Sequence, residues 1–168
     1  MPMSQTLAVY PGSFDPITRG HIDLIERGLK IFGRLVVAVV TNPNKQPLFT
    51  LQERVEMIEE ETRHLKGEVI VEQFDGLLVH YMMGRGANVI LRGLRAVTDF
   101  EYEMEMALTN RQLDTHIETV FLTPSVMYVY LRASTVKTIA ARGGKIDSFV
   151  TPKVEERLRK RFAQNVQQ

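Results

Sequence analysis

Between Tyr10 and His21 the chain reads Tyr-Pro-Gly-Ser-Phe-Asp-Pro-Ile-Thr-Arg-Gly-His, residue types that together suit the handling of phosphate. His21 opens a helical pattern, Ile22-Asp23-Leu24-Ile25-Glu26-Arg27, where unpaired N–H groups and the positive end of the helix dipole favour an anion. Its imidazole adds a donor that is neutral or cationic near pH 7. Gly20 leaves room for a close approach to the backbone, and Pro11-Gly12 and Asp15-Pro16 punctuate a loop longer than a plain connection. Two further stretches carry cations: Arg92-Gly93-Leu94-Arg95, and Lys45 within the Pro-bracketed turn Thr41–Pro47. Paired arginines and a lysine suit several phosphate groups at once. Taken singly, each stretch is equally compatible with an inert loop, a solvated turn or a surface lysine. What separates the readings is whether the fold brings the three together.

The elements between them say that it does. Apolar, β-rich runs recur at Leu7–Tyr10, Leu35–Val40, Val69–Val71, Val89–Leu91 and Val120–Leu122. Helical patterns alternate with them at about Gly20–Phe32, Leu51–Leu65, Leu77–Arg85 and Asp99–Leu113. The second run is apolar throughout, as a strand covered on both faces should be. Such alternation implies right-handed crossovers and a doubly wound, Rossmann-like parallel sheet of five strands. The expected strand order is 3-2-1-4-5, with C-terminal helices added. Strands 1 and 4 then meet at the topological switch point, and the His21 loop faces the Arg92–Arg95 loop. Thr50 and Glu53 read as a capping box. In Asp99–Leu113, Glu101, Glu103 and Glu105 interleave with Tyr102, Met104 and Met106, which predicts a helix buried on two sides. Glu59-Glu60-Glu61 reads as a solvated helix face, and Arg157, Arg159, Lys160 and Arg161 suit the C-terminus of an amphipathic helix.

Composition narrows the class. The 168 residues, 44% hydrophobic and 24% charged, describe one globular domain over 1–168. A net charge of +1 gives no general pull toward nucleic acid or an anionic membrane, so phosphate binding must be local. With no cysteine there is no thiolate nucleophile and no cysteine zinc site, and His64, His80 and His116 lack metal-ligand spacing. The first six residues do not read as a signal peptide and no apolar run spans a bilayer, so the expected location is cytoplasmic.

Tyr10-Pro11-Gly12-Ser13-Phe14-Asp15-Pro16 with Thr18-x-Gly20-His21 resembles the first signature of the phosphopantetheine adenylyltransferases, in the nucleotidyltransferase superfamily marked by His/Thr-x-Gly-His. Pro47-Leu48-Phe49-Thr50-Leu51-x-Glu53-Arg54 and Arg92-Gly93-Leu94-Arg95-Ala96-Val97-x-Asp99-Phe100-Glu101-Tyr102-Glu103 resemble the same family, over nearly the full length. The resemblance implies transfer of the adenylyl group of ATP to 4′-phosphopantetheine, giving dephospho-coenzyme A and pyrophosphate, with magnesium held mainly by the ATP phosphates and water. It implies that Ser13 and Phe14 contact nucleotide and substrate phosphate, and that His21 stabilises the transition state at the α-phosphate. Lys45 and Arg92 would hold the phosphopantetheine phosphate, with Leu78 along the pantetheine arm. Gly93, Leu94, Arg95, Glu103 and the segment Tyr128, Val129, Tyr130, Leu131, Arg132, Ala133 and Ser134 would bind ATP. The family's members are usually hexamers.

One stretch departs from the family pattern. Relatives carry an Ile-Ser-Ser-Ser/Thr-like run where this chain has Leu131-Arg132-Ala133-Ser134. Ser134 is then expected to cap the following helix, which stops at Gly143-Gly144. Arg132 either points to solvent or replaces the lost hydroxyls on the ATP phosphates. Two other functions remain open at this level: a sibling enzyme with a different phosphate acceptor, and a catalytically silent nucleotide-binding protein.

Overall fold

The computed structural model describes residues 6–41, 46–95 and 97–165; Lys45 and Ala96 lie outside them. Five parallel strands, β1 (Leu7–Gly12), β2 (Arg34–Val40), β3 (Glu68–Phe74), β4 (Val89–Gly93) and β5 (Glu118–Leu122), stand in the order β3-β2-β1-β4-β5. The expected doubly wound sheet is therefore present. The helices are α1 (Arg19–Phe32), α2 (Leu51–Thr62), α3 (Leu78–Arg85), α4 (Val97–Leu113), α5 (Ala133–Ala141) and α6 (Pro152–Asn165), with a 3-10 turn at Val126–Tyr128.

Both faces of the central strands are covered, and the period of two along each strand divides the core. Tyr10, Leu35, Val37 and Val39 pack with Ile25, Leu29, Met57, Ile58, Val154 and Leu158 on one face. Val9, Val36 and Ala38 pack with Val79 and Met82 on the other. A continuous apolar run is what such a two-sided strand requires.

Four expectations are corrected. Pro11 and Gly12 extend β1 rather than opening the loop. Proline has no N–H for a ladder, yet it is tolerated because β1 pairs with β4 only at Ala8↔Val89 and Val9↔Ile90. Beyond Val9 the two strands part, and the gap between them is the mouth of the site. The acidic run of α2 is not solvated as a unit: Glu61 is buried and accepts a bond from Thr151 Oγ1 at 2.8 Å, and Glu60 accepts from Arg157 at 2.9 Å. Nor do the arginines of α6 serve only its own C-terminus; Arg157 and Arg161 tie α6 to α2. Finally, α4 is not buried on two sides. Glu103 and Asn110 are its buried residues among those described, whereas Phe100, Tyr102, Met106, Leu108 and Leu113 are exposed. A single chain covers only the side of α4 that faces the site and β5.

Candidate active site

A cavity of about 1100 Å³ opens at the carboxyl ends of β1, β2 and β4. Ser13, Phe14, His21, Leu78, Arg92, Arg95, Glu103, Arg132, Ala133 and Ser134 line it, so most of the residues expected there converge. Gly93, Leu94, Tyr128, Val129, Tyr130 and Leu131, also expected there, are not among its lining residues.

Helix α1 delivers His21. Thr18 is the N-cap, and its Oγ1 accepts from the His21 N–H at 3.4 Å. In return His21 Nδ1 accepts the Thr18 N–H at 3.0 Å, so a histidine completes a capping box in the position usual for Glu or Gln. A backbone N–H can only donate. Nδ1 is therefore unprotonated in this arrangement, and the neutral ring carries its proton on Nε2. Burial and the nearby Arg95 and Arg92 guanidinium groups hold the imidazole pKa down to about 3. The histidine of the ligand-free protein is thus a neutral donor. Two of the first three N–H groups of α1 have partners in the protein, Arg19 N on Phe149 O and His21 N on Thr18. An anion at this end of α1 would therefore meet the His21 side chain more than a bare helix end.

This has a direct consequence for pH. NMR of His21 without ligand is expected to show no titration between about pH 5 and 8, whereas Arg95→Ala should move its pKa upward. A step near the ordinary histidine value of 6.5 in the parent protein would contradict the assignment. Between 6.5 and about 3 the unfolded chain takes up this proton and the folded one does not, so His21 makes stability fall as pH drops through that window.

Phe14 adopts a left-handed backbone, φ 47°. That conformation costs a non-glycine residue on the order of 1–3 kcal/mol. Its ring is held edge-on against Tyr10 and His21, with centroids 5.2 and 5.0 Å away. The close approach expected at Gly20 is made by the chain itself: a Cβ there would stand 3.4 Å from Leu131 and 3.5 Å from Tyr128. Gly93 has a firmer reason, since its Cβ would meet Leu24 Cδ1 at 2.4 Å.

The two arginines of the β4 loop differ. Arg92 spends three of its five N–H groups within the protein: Nε and Nη2 donate to Glu103 at 2.9 and 2.6 Å, and Nη1 donates to Pro11 O at 2.7 Å, in the gap between β1 and β4. The cluster is therefore less cationic than two arginines suggest. Arg95 reaches across the mouth, with Nε on Asp99 at 3.3 Å and Nη1 on Leu131 O at 3.0 Å. Arg132 lies 3.6 Å from the same Asp99 carboxylate. It is neither free in solvent nor buried.

Arg132, and not Ser134, is the N-cap residue of α5, and no side chain caps that helix. Ser134 lies one residue inside the first turn, too late to cap it. The uncapped turn borders the cavity at Ala133 and Ser134, which leaves N–H donors available to a ligand. The expected stop holds, with Gly143 at φ 73° and Gly144 N on Ile139 O.

Several residues shape the site through partners that their motifs do not reveal. Asp15 accepts the Leu48 and Phe49 N–H groups at 2.9 Å each and Lys137 Nζ at 2.7 Å, so it joins three segments. Asp23 accepts from Ser125 N at 3.1 Å and Ser125 Oγ at 2.6 Å, fixing the approach to residues 126–134. Arg54, buried, donates to Ser13 O at 2.8 Å. The sequence shows these residue types, but not partners 33 to 122 positions away.

Residues 9–139 match the cytidylyltransferase-like family. The chain is 56% identical over 148 residues to the phosphopantetheine adenylyltransferase of Nostoc punctiforme, spanning 88% of this chain and 80% of that one. It is 50% identical to the enzyme of the same name from Heliobacterium modesticaldum over 161 residues, spanning 96% and 95%. Among solved structures, the Plasmodium falciparum nicotinic acid mononucleotide adenylyltransferase complexed with NaAD superposes with a TM-score of 0.66 at 11% identity, covering 96% of each chain. The bifunctional NMN adenylyltransferase/ADP ribose pyrophosphatase of Francisella tularensis gives 0.66 at 14% identity, over 93% of this chain and 48% of that one. These two likenesses concern the fold.

Proposed function

The chain belongs to the phosphopantetheine adenylyltransferase family, and we propose from its cavity how it performs the transfer. The reaction moves the adenylyl group of ATP to 4′-phosphopantetheine, giving dephospho-coenzyme A and pyrophosphate. A phosphate oxygen of the acceptor attacks the α-phosphorus of ATP in line with the bond to the β-phosphate. The new P–O bond forms as that bond breaks and pyrophosphate leaves, with no covalent enzyme intermediate. The attacking oxygen is already anionic, so the protein's part is positioning and charge neutralisation.

The carrying observation is the neutral His21, its Nε2–H free while Nδ1 is engaged by Thr18. It donates to a non-bridging α-phosphate oxygen as charge builds there. Arg95, Arg132 and the uncapped start of α5 take the β- and γ-phosphates, with Ser13, Phe14, Gly93, Leu94, Glu103 and 128–134 completing the ATP side. Ser13 also contacts the acceptor phosphate, which Lys45 and Arg92 hold, and Leu78 lines its pantetheine arm. Lys45→Ala belongs to this reading, as does poor use of pantetheine without its phosphate.

Magnesium neutralises charge on the ATP phosphates when bound. The donor set fits an ion carried by phosphates and water: among the described residues no three His, Asp or Glu side chains gather around one point. The cavity carboxylates Asp15 and Glu103 are engaged by Lys137 and Arg92. The exposed apolar residues of α4 support a protein contact on that helix; the assembly we propose for it, a homohexamer of single-domain subunits, is the one the family resemblance implies. No helix among the described residues is long and apolar enough to cross a membrane. A cytoplasmic location accords with a reaction that consumes ATP.

Pyrophosphate release from ATP with and without 4′-phosphopantetheine tests the reading. Release that is independent of the acceptor, or equal with nicotinate mononucleotide, would overturn it. Arg132→Ala is expected to raise KM for ATP about three- to tenfold and leave KM for phosphopantetheine unchanged, with Arg132→Ser recovering part of the loss. Unchanged ATP kinetics would confine Arg132 to its pairing with Asp99.

A further inference from the structure

We propose that Arg161, on the C-terminal helix α6, is a positioning residue for the phosphate acceptor. Its guanidinium makes three contacts with residues 48–53, the segment that leads into the first turn of α2. Nη1 donates to Leu48 O at 2.7 Å, Nη2 donates to Glu53, and the planar group lies over the Phe49 ring, 5.1 Å from its centroid. Glu53 is the residue that closes the Thr50 capping box, accepting the Thr50 N–H at 2.8 Å. From the opposite side Asp15 takes the Leu48 and Phe49 N–H groups. The peptide units at 48 and 49 are therefore held between the phosphate loop and the C-terminal helix. The two residues immediately before them, Gln46 and Pro47, line the cavity.

This geometry gives α6 a handle on one wall of the site without reaching the ligand. If Arg161 releases Leu48 O, the segment loses one of its two fixings and the wall at 46–47 loses its register relative to Ser13 and Arg92. A misplacement of this kind acts on binding and alignment, because productive geometry is set within a fraction of an ångström. The ATP side is tied elsewhere, through Asp23–Ser125 and Arg95–Leu131. The expected effect is therefore selective. The inference rests on the proposed assignment to the acceptor of Lys45, the residue that precedes Gln46 in the sequence.

The experiment compares full-length wild type, Arg161→Ala, Arg161→Lys and Arg157→Ala by pyrophosphate release, varying ATP and 4′-phosphopantetheine separately. Arg157 is the internal control: it ties α6 to Glu56 and Glu60 but does not touch 46–50. Arg161→Ala is expected to raise KM for phosphopantetheine about five- to twentyfold, with KM for ATP within about twofold and kcat at saturating acceptor near that of wild type. Arg161→Lys should fall between, keeping the pairing with Glu53 but not the stacked fork, and Arg157→Ala should leave both KM values alone. An unchanged acceptor KM in Arg161→Ala overturns the proposal. So does an equal rise in Arg157→Ala, or a joint rise in both KM values, since either marks a merely structural role. Should Arg161→Ala not fold, Arg161→Lys is judged by the same criteria. Wild type that fails to release pyrophosphate in response to acceptor overturns the adenylyl-transfer reading and this inference with it; active wild type with unresponsive Arg161 variants overturns this inference alone.

Discussion

Replacing His21 with alanine is expected to lower kcat about 10²–10³-fold while changing ATP affinity little. The imidazole acts on charge that develops only as the α-phosphorus passes through its transition state, so its loss affects the chemical step more than the bound ground state. The orientation is enforced by the Thr18 N–H on Nδ1, which leaves Nε2–H as the donor of the neutral ring. The variant also loses half of the capping box, a cost of about 1 kcal/mol in helix stability. Steady-state kcat and equilibrium ATP binding on the same preparation, with a melting curve as a fold control, separate the two effects. A near-normal kcat would remove His21 from the mechanism.

Arg92→Ala should produce the second large effect, and it should do so twice over. Acceptor use weakens because a cation is lost from the site. Stability also falls, by about 3 kcal/mol, because an ion pair broken on one side leaves a poorly solvated charge behind. Glu103 is that charge: its side chain is only 9% exposed, against 30% for Arg92. The double variant Arg92→Ala/Glu103→Ala should regain part of the stability and none of the acceptor affinity. Denaturant unfolding with acceptor KM measurements on both variants checks this. A double variant no more stable than the single one would show that the orphaned carboxylate is not the cause.

How far the sequence reaches follows from what each feature depends on. The sheet was legible because apolar runs and helical periods are local, and because the strand order of such a fold narrows to few choices. His21 and the Arg92–Arg95 loop were legible because the switch point brings those loops together in any doubly wound sheet. The pairing of Arg92 with Glu103 was not: the resemblance sends the two to different substrates, and only the placement of α4 against the β1–β4 gap brings them to 2.6 Å. Glu61 looked solvated for the same reason, since its partner Thr151 comes from the far end of the chain. The apolar residues of α4 read as buried on two sides because periodicity detects an apolar surface but not what covers it.

The shared carboxylate of Asp15 also says something about when this protein becomes able to work. Its loop is made well before one of its partners, Lys137, which is synthesised 122 residues later. Arg19 N and Leu48 O wait for Phe149 and Arg161. Such long-range closures are completed late, after the local helices have formed. A growing chain on the ribosome therefore carries His21, Arg92 and Arg95 well before it carries a finished pocket. Nucleotide capture should switch on as residues 137–161 are added instead of accumulating strand by strand.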